Sequence, residues 1–168
     1  MNILLLGDIL GPAGRKALTE SLPNLIKQKE LDFVIVNGEN AADSGLGLTK
    51  ENVEQILKAG VDVITTGNHI WKQKDIIPYL NEEWPILRPA NYPSTAPGRG
   101  HITLSNITVV NIMGRVFMNS LDCPFRTMDQ ILSEIGQLNG STTIIVDFHA
   151  EATSEKQAFG WYLDGKVS

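Results

Sequence analysis

The stretch Val34–Gly47, "VIVNGENAADSGLG", changes character in its middle: a β-branched apolar run gives way to Asn37, Gly38, Glu39 and Asn40, and then to a glycine-rich loop. It reads as a buried strand that runs off its end into a carboxylate and two amides. Carboxylate and amide oxygens are hard donors that suit a hard or borderline metal, and the same residue types also make ordinary turns. The rest of the chain decides between the two.

Similar apolar runs rich in Ile and Val recur at Ile3–Leu6, Phe33–Val36, Val61–Ile64, Ile107–Ile112 and Thr143–Phe148. Nearly continuous runs of this kind predict strands buried on both faces of a largely parallel sheet. Between them, "GRKALTESLPNLIKQKE" and "TKENVEQILKAG" carry apolar residues at helical spacing, the second with Thr49 as N-cap and Gly60 as C-cap. The opening is therefore β-α-β-α, and Pro23 is expected to kink or divide the first helix. The segment Trp84–Gly100, punctuated by Pro85, Pro89, Pro93 and Pro97, reads as a long surface connection, followed by a hairpin from His101 through Ser105-Asn106 to Met113. A further helix is expected over Thr127–Leu138, and a last one with Ser154 as N-cap and a stop at Gly165. A final helix in an alternating chain is normally followed by the strand it packs beside, so an end at Val167-Ser168 predicts a domain cut short at its C-terminus.

With 168 residues, 42% of them hydrophobic, the chain supports one α/β domain over 1–168 with a sizeable core. The net charge is −5, and the 14 Lys and Arg are scattered, which excludes a surface that coats extended nucleic acid. Any anionic substrate then needs local positive charge. Cys123 is the single cysteine, no apolar run has transmembrane length, and "MNILLLGDILG" lacks a basic n-region and a cleavage pattern. A cytoplasmic protein is expected, with no membrane partner.

In open α/β sheets the ligand site forms at the carboxyl ends of the strands. Here the first strand ends in Gly7-Asp8, the second in Asn37-Gly38-Glu39-Asn40, the third in Thr66-Gly67-Asn68-His69, and the late strand in Asp147-Phe148-His149-Ala150-Glu151. Asp8, Asn40 and Asn68 taken singly also suit turns or helix caps. Glu39 is harder to explain that way, because Glu is a poor turn residue and is seldom buried unless paired or metal-bound. Four strands exiting into carboxylates, amides or imidazole favour convergence on metal over turn chemistry repeated four times. His101 is expected at an exposed or strand-edge position. "GDILGPAG" matches neither the dinucleotide nor the P-loop pattern, and neither a cysteine nucleophile signature nor a G-x-S-x-G elbow is present.

Assembled in order, "GDI.G..GR", "NGENAA.G.G", "TTGNH.W" and "DFHAEATSEK" resemble the YmdB-like branch of the calcineurin-like metallophosphoesterases over the whole chain. The resemblance implies layered sheets flanked by helices and a phosphodiesterase with two metals, acting on small phosphodiesters such as 2′,3′- or 3′,5′-cyclic nucleotides. Carried over by position, Asp8 and Asn40 would hold the first metal, Glu39 would bridge, and Asn68 and His149 would hold the second. His69 would sit beside the phosphate as proton donor to the leaving oxygen. Leu10 stands where the wider superfamily has a histidine, and Glu39 where it has an aspartate; both are features of this branch. The family continues into a Gly-Thr-His-Thr-His strand, and Ser168 falls just before it.

Two cations about 3.5–4 Å apart would hold the non-bridging oxygens and lower the pKa of a shared water, so that hydroxide attacks in line. Iron or manganese suits the mixed carboxylate, amide and imidazole set, and the lack of thiolate argues against structural zinc. The sequence leaves room for a homo-oligomer. Two rivals stand beside the enzyme: a phosphate- or nucleotide-binding module without turnover, and an inactive fragment with an exposed sheet edge.

Overall fold

Three apolar runs of the first half become β1 (Ile3–Asp8), β2 (Phe33–Asn37) and β3 (Val63–Thr65), paired in parallel with Leu5 beside Ile35 and Val36 beside Ile64. The structure, a computed structural model, describes residues 1–136 and 143–168. It divides into two compact units, Met1–Ile86 and Leu87–Ser168. The sheet order is β1-β2-β3-β4, the last being the short β4 (Ile86–Leu87). The third strand begins at Val63 because Asp62 turns its carboxylate onto the Val34 N–H (2.7 Å), which occupies that residue before the ladder starts. β2 and β3 are buried as the apolar runs predict, whereas β1 lies at the sheet's edge and leaves Leu5 52% exposed.

Helix α1 (Gly11–Lys29) is not divided by Pro23. Proline removes one helical hydrogen bond and costs about 3 kcal/mol. Leu18 and Leu22 before it and Ile26 after it all pack into one core with Val34, Val36 and Ile56, and that burial on both sides carries the helix through. Helix α2 (Lys50–Lys58) opens on the expected Thr49, in a reciprocal box in which Thr49 and Asn52 each accept the other's backbone N–H. Its C-cap is Ala59 rather than Gly60; the glycine follows at φ 105°, the left-handed turn that ends the helix.

In the second unit β5 (His101–Leu104) and β6 (Ile107–Met113) form the predicted antiparallel hairpin around Ser105-Asn106, and β7 (Thr143–His149) pairs in parallel with β6. This sheet is therefore mixed, with His101 on its edge strand. β6 is buried throughout and β7 is half-buried. Helix α3 spans Pro124–Gly136, and the Leu138 end predicted for it lies outside the described residues. Helix α4 (Thr153–Leu163) is capped by Ala152 without a side-chain bond, two residues earlier than Ser154, and Gly165 follows it at φ 73°. Phe159 of α4 lies against Phe148 (ring centroids 4.2 Å) and edge-on to Phe125 of α3 (5.3 Å), forming this unit's core.

The segment Trp84–Gly100 is a surface connection only in part, being exposed at Pro93, Ser94 and Thr95. Leu87, Arg88, Pro89 and Asn91 are buried. Its prolines carry no N–H, and the remaining backbone groups find partners: Asn111 Nδ2 donates to Leu87 O (2.9 Å), Ala90 N to Asn111 O (2.7 Å) and Arg88 N to Arg99 O (3.0 Å).

Candidate metal centre

Parallel pairing puts the exits of β1, β2 and β3 on one edge of their sheet. Asp8 is the last residue of β1, opposite Asn37, and the chain stays tied to the second loop as Ile9 N donates to Asn37 O (2.9 Å) and Gly11 N to Asn40 O (2.8 Å). Asn37 in turn accepts the Glu39 N–H on its side chain (3.1 Å), a local turn that sends the Glu39 side chain inward, where it is 4% exposed. The third exit, after β3, is a short 3₁₀ turn over Asn68–Trp71 that carries His69.

Four of the sequence-predicted residues meet here. Asn40 Nδ2 donates to Asp8 Oδ2 (2.7 Å) and to Glu39 Oε1 (3.3 Å), while Asn40 Oδ1 lies 2.6 Å from His69 Nδ1. The same ring nitrogen is 3.4 Å from Glu39 Oε1, and the His69 backbone N–H reaches Glu39 Oε2 at 3.5 Å. With the Asn40 oxygen as acceptor, Nδ1 carries the proton, which leaves Nε2 as the ring nitrogen available for chemistry. Asn68 opens the same turn one residue before His69. His149 belongs to the second unit, where it ends β7 opposite Met113 and its carbonyl accepts the Gly114 N–H (2.9 Å).

The donors at the first three exits are two carboxylates, an amide oxygen and an imidazole, a set that fits a hard or borderline cation and contains no thiolate. Among the described residues no three His, Cys, Asp or Glu side chains are grouped as metal ligands. The resemblance assigns two of the ligand positions to amides, Asn40 and Asn68, which a grouping by those four residue types does not count.

Arg15, on the first turns of α1, turns its charge onto the protein itself. Its side chain is 11% exposed, and the guanidinium fork donates to Ala41 O, to Asp43 Oδ1 (2.6 Å) and to Gln55 Oε1 (2.9 Å). It thus ties α1 to α2 and to the loop directly following Glu39 and Asn40. A cavity of about 480 Å³ lies beside it, lined also by Ser44, Glu51, Asn52 and Gln73. With its guanidinium turned onto the protein and the Asp43 and Glu51 carboxylates in the wall, this cavity does not suit a phosphate. The loop closes where Gly47, at φ 87°, presses on the His69 carbonyl and the Gln73 side chain; a Cβ there would stand 3.2 Å and 2.8 Å from them. The sequence signal for Arg15 was its place seven positions after Asp8 on the first turns of a helix, which names a residue without naming its partners. Arg88 is buried as well, and its guanidinium donates to the Pro89 carbonyl at 2.9 Å; burial lowers its pKa.

The family model for YmdB-like proteins matches residues 4–168. The chain is 41% identical over 172 residues to a 2′,3′-cyclic-nucleotide 2′-phosphodiesterase of Bacillus subtilis, covering 100% of this chain and 64% of that protein. Among solved structures, a hypothetical protein of Thermus thermophilus is 41% identical with a TM-score of 0.91, matching 100% of this chain and 65% of its own. A structure described as a novel phosphatase from Mycoplasma pneumoniae is 33% identical with a TM-score of 0.88, matching 99% and 61%. The chain thus spans less than two thirds of the length of each of these relatives.

Proposed function

The chain belongs to the YmdB-like protein family, and from that premise we propose that it is a metal-dependent phosphodiesterase acting on small phosphodiesters, cyclic nucleotides among them. The observation that carries the reading is the joining of Asp8, Glu39, Asn40 and His69 at three strand exits by bonds of 2.6 to 3.4 Å. Support comes also from the relative named a 2′,3′-cyclic-nucleotide 2′-phosphodiesterase.

Asp8, Glu39 and Asn40 would hold cations at this mouth in our reading, Glu39 serving both of them as the resemblance implies; Asn68 and His149 are kept as ligands on the resemblance. Iron or manganese suits the set. When bound, the cations supply positive charge to the phosphoryl oxygens and acidify water. The chain's own contribution is orientation and proton delivery. Asn40 and Glu39 fix the His69 ring through Nδ1–H, and from the imidazolium form, which carries a second proton on Nε2, that second proton passes to the departing oxygen and leaves the neutral Nδ1–H ring, a step worth about 10²–10⁴-fold in rate. Residues 1–168 act as part of one metallophosphoesterase domain in the cytoplasm; among the described residues no helix is long and apolar enough to cross a membrane.

A second reading is a phosphate or nucleotide binder without turnover. One assay separates the two: metal analysis together with hydrolysis of bis-p-nitrophenyl phosphate by wild type and His69→Ala. Bound metal with turnover that falls about 10²–10⁴-fold in the variant supports the enzyme. Bound metal without turnover in the wild type favours the binder, and metal lost with His69 would move that imidazole among the ligands.

A further inference from the structure

The cavity beside Arg15 takes no part in the proposed chemistry, and its hydrogen bonds do not close on themselves. It lies wholly within the first unit and is walled by the loop after Asn40, the first turn of α2 and Gln73. Its volume of about 480 Å³ is that of a small-molecule site. Ala42 is the one apolar residue among the described residues lining it, so an aromatic or aliphatic ligand has little to bury against.

Asn52 is the clearest open partner. It lines the cavity and is only 6% exposed. Its amide oxygen accepts the Thr49 N–H (3.2 Å) in the cap of α2, while its NH₂ group finds no acceptor among the described residues. A donor this deeply buried is costly to leave unmade. Gln55 repeats the pattern at the rim, where its oxygen accepts from Arg15 Nε (2.9 Å) and its NH₂ group has no acceptor among the described residues. Gln73 is the converse: its NH₂ group donates to Leu46 O (2.8 Å) and Ser44 Oγ (3.2 Å), which leaves its oxygen to accept.

The charges in the wall are one positive, Arg15, and two negative, Asp43 and Glu51. Asp43 meets Arg15 at 2.6 Å, whereas Glu51 accepts no hydrogen bond from the described residues. Lys50, next to it in the chain, pairs with Glu54 at 3.7 Å and lies over the Tyr79 ring.

From this geometry we infer that the cavity binds a small hydroxylated amine, of the amino-sugar or amino-alcohol class. The ammonium group answers Glu51, and the hydroxyls divide between the NH₂ groups of Asn52 and Gln55 and the oxygen of Gln73. A divalent cation fits less well: calcium takes about six to eight oxygens, and no cation gives the Asn52 NH₂ group an acceptor. The inference stands independently of the phosphodiesterase reading. Because Gln73 bonds Ser44 and Leu46, a bound ligand also braces the loop that follows Asn40.

The test is calorimetry on the whole chain with three probes: glucosamine, glucose, which keeps the hydroxyls and lacks the charge, and cyclohexylamine, which keeps the charge and lacks the hydroxyls. The wild type should bind glucosamine about tenfold or more tightly than either of the others. Glu51→Gln keeps the side chain's shape and leaves the Thr49–Asn52 cap intact. It should remove the advantage of glucosamine over glucose and leave glucose at its wild-type level. Glu54→Gln makes the same charge change three residues along α2, outside the cavity, and should alter none of the three. Absence of glucosamine binding to the wild type overturns the inference, and so does unchanged glucosamine affinity in Glu51→Gln. Cyclohexylamine bound as tightly as glucosamine would reduce the site to a bare charge, and equal losses in the two variants would reduce it to the general field of the chain; either result also overturns it.

Discussion

At the exits of β1, β2 and β3 the polar side chains spend their hydrogen bonds on one another: Asn40 on Asp8 and Glu39, His69 on Asn40. At the exits of β6 and β7 the bonds instead hold backbone, with Glu155 gripping two amides and Gly114 bound to the His149 carbonyl, and a ring is left facing water. At the first mouth the Asp8 and Glu39 carboxylates and the His69 ring are held together through the one amide of Asn40. The second is a fixed frame that holds the Phe117 ring exposed.

The largest effect expected from breaking the second mouth comes from its core. Phe159 is 1% exposed between Phe148 and Phe125. Phe159→Ala should cost about 3–5 kcal/mol in urea unfolding. Amide exchange at Gly114 and Arg115 should lose protection in the same variant; protection kept at those amides would show that the turn stands without the aromatic core. A smaller effect sharpens the first mouth. Arg15→Ala removes the fork from Ala41, Asp43 and Gln55 and so loosens the loop after Asn40. Manganese affinity should fall about 10- to 100-fold, the usual cost of losing a residue that orients ligands. Arg15→Lys restores the charge without the planar fork and should recover little. Unchanged affinity in both variants would separate Arg15 from the centre.

How much of this could be read from the residues differs between the two mouths for a physical reason. The strand exits were legible because an apolar run that stops at Asn37-Gly38-Glu39-Asn40, or at Gly67-Asn68-His69, states both the element and what its end displays. The hairpin at Ser105-Asn106 and the Thr49 cap were legible because they are local. Burial of Leu87, Arg88 and Asn91 was not, since prolines read as surface punctuation until Asn111, distant in sequence, supplies their partners. Nor was the continuity of α1 through Pro23, which depends on tertiary packing of Leu22 and Ile26. The Ser154 cap failed for a similar reason: the helix starts at Thr153, behind Ala152, with no side chain capping it. Phe117 looked like one more apolar residue in "GRVFM", and only the backbone angle and the exposure set it apart.

The claim on which the account turns is that Glu39 holds cations by its charge at the junction of three strand exits. Manganese titration of the wild type beside Glu39→Gln, which keeps the shape of the side chain and removes its charge, tests it most directly. The account predicts that all bound manganese weakens together in the variant, by about tenfold or more in affinity. Identical stoichiometry and affinity in the two proteins would contradict it.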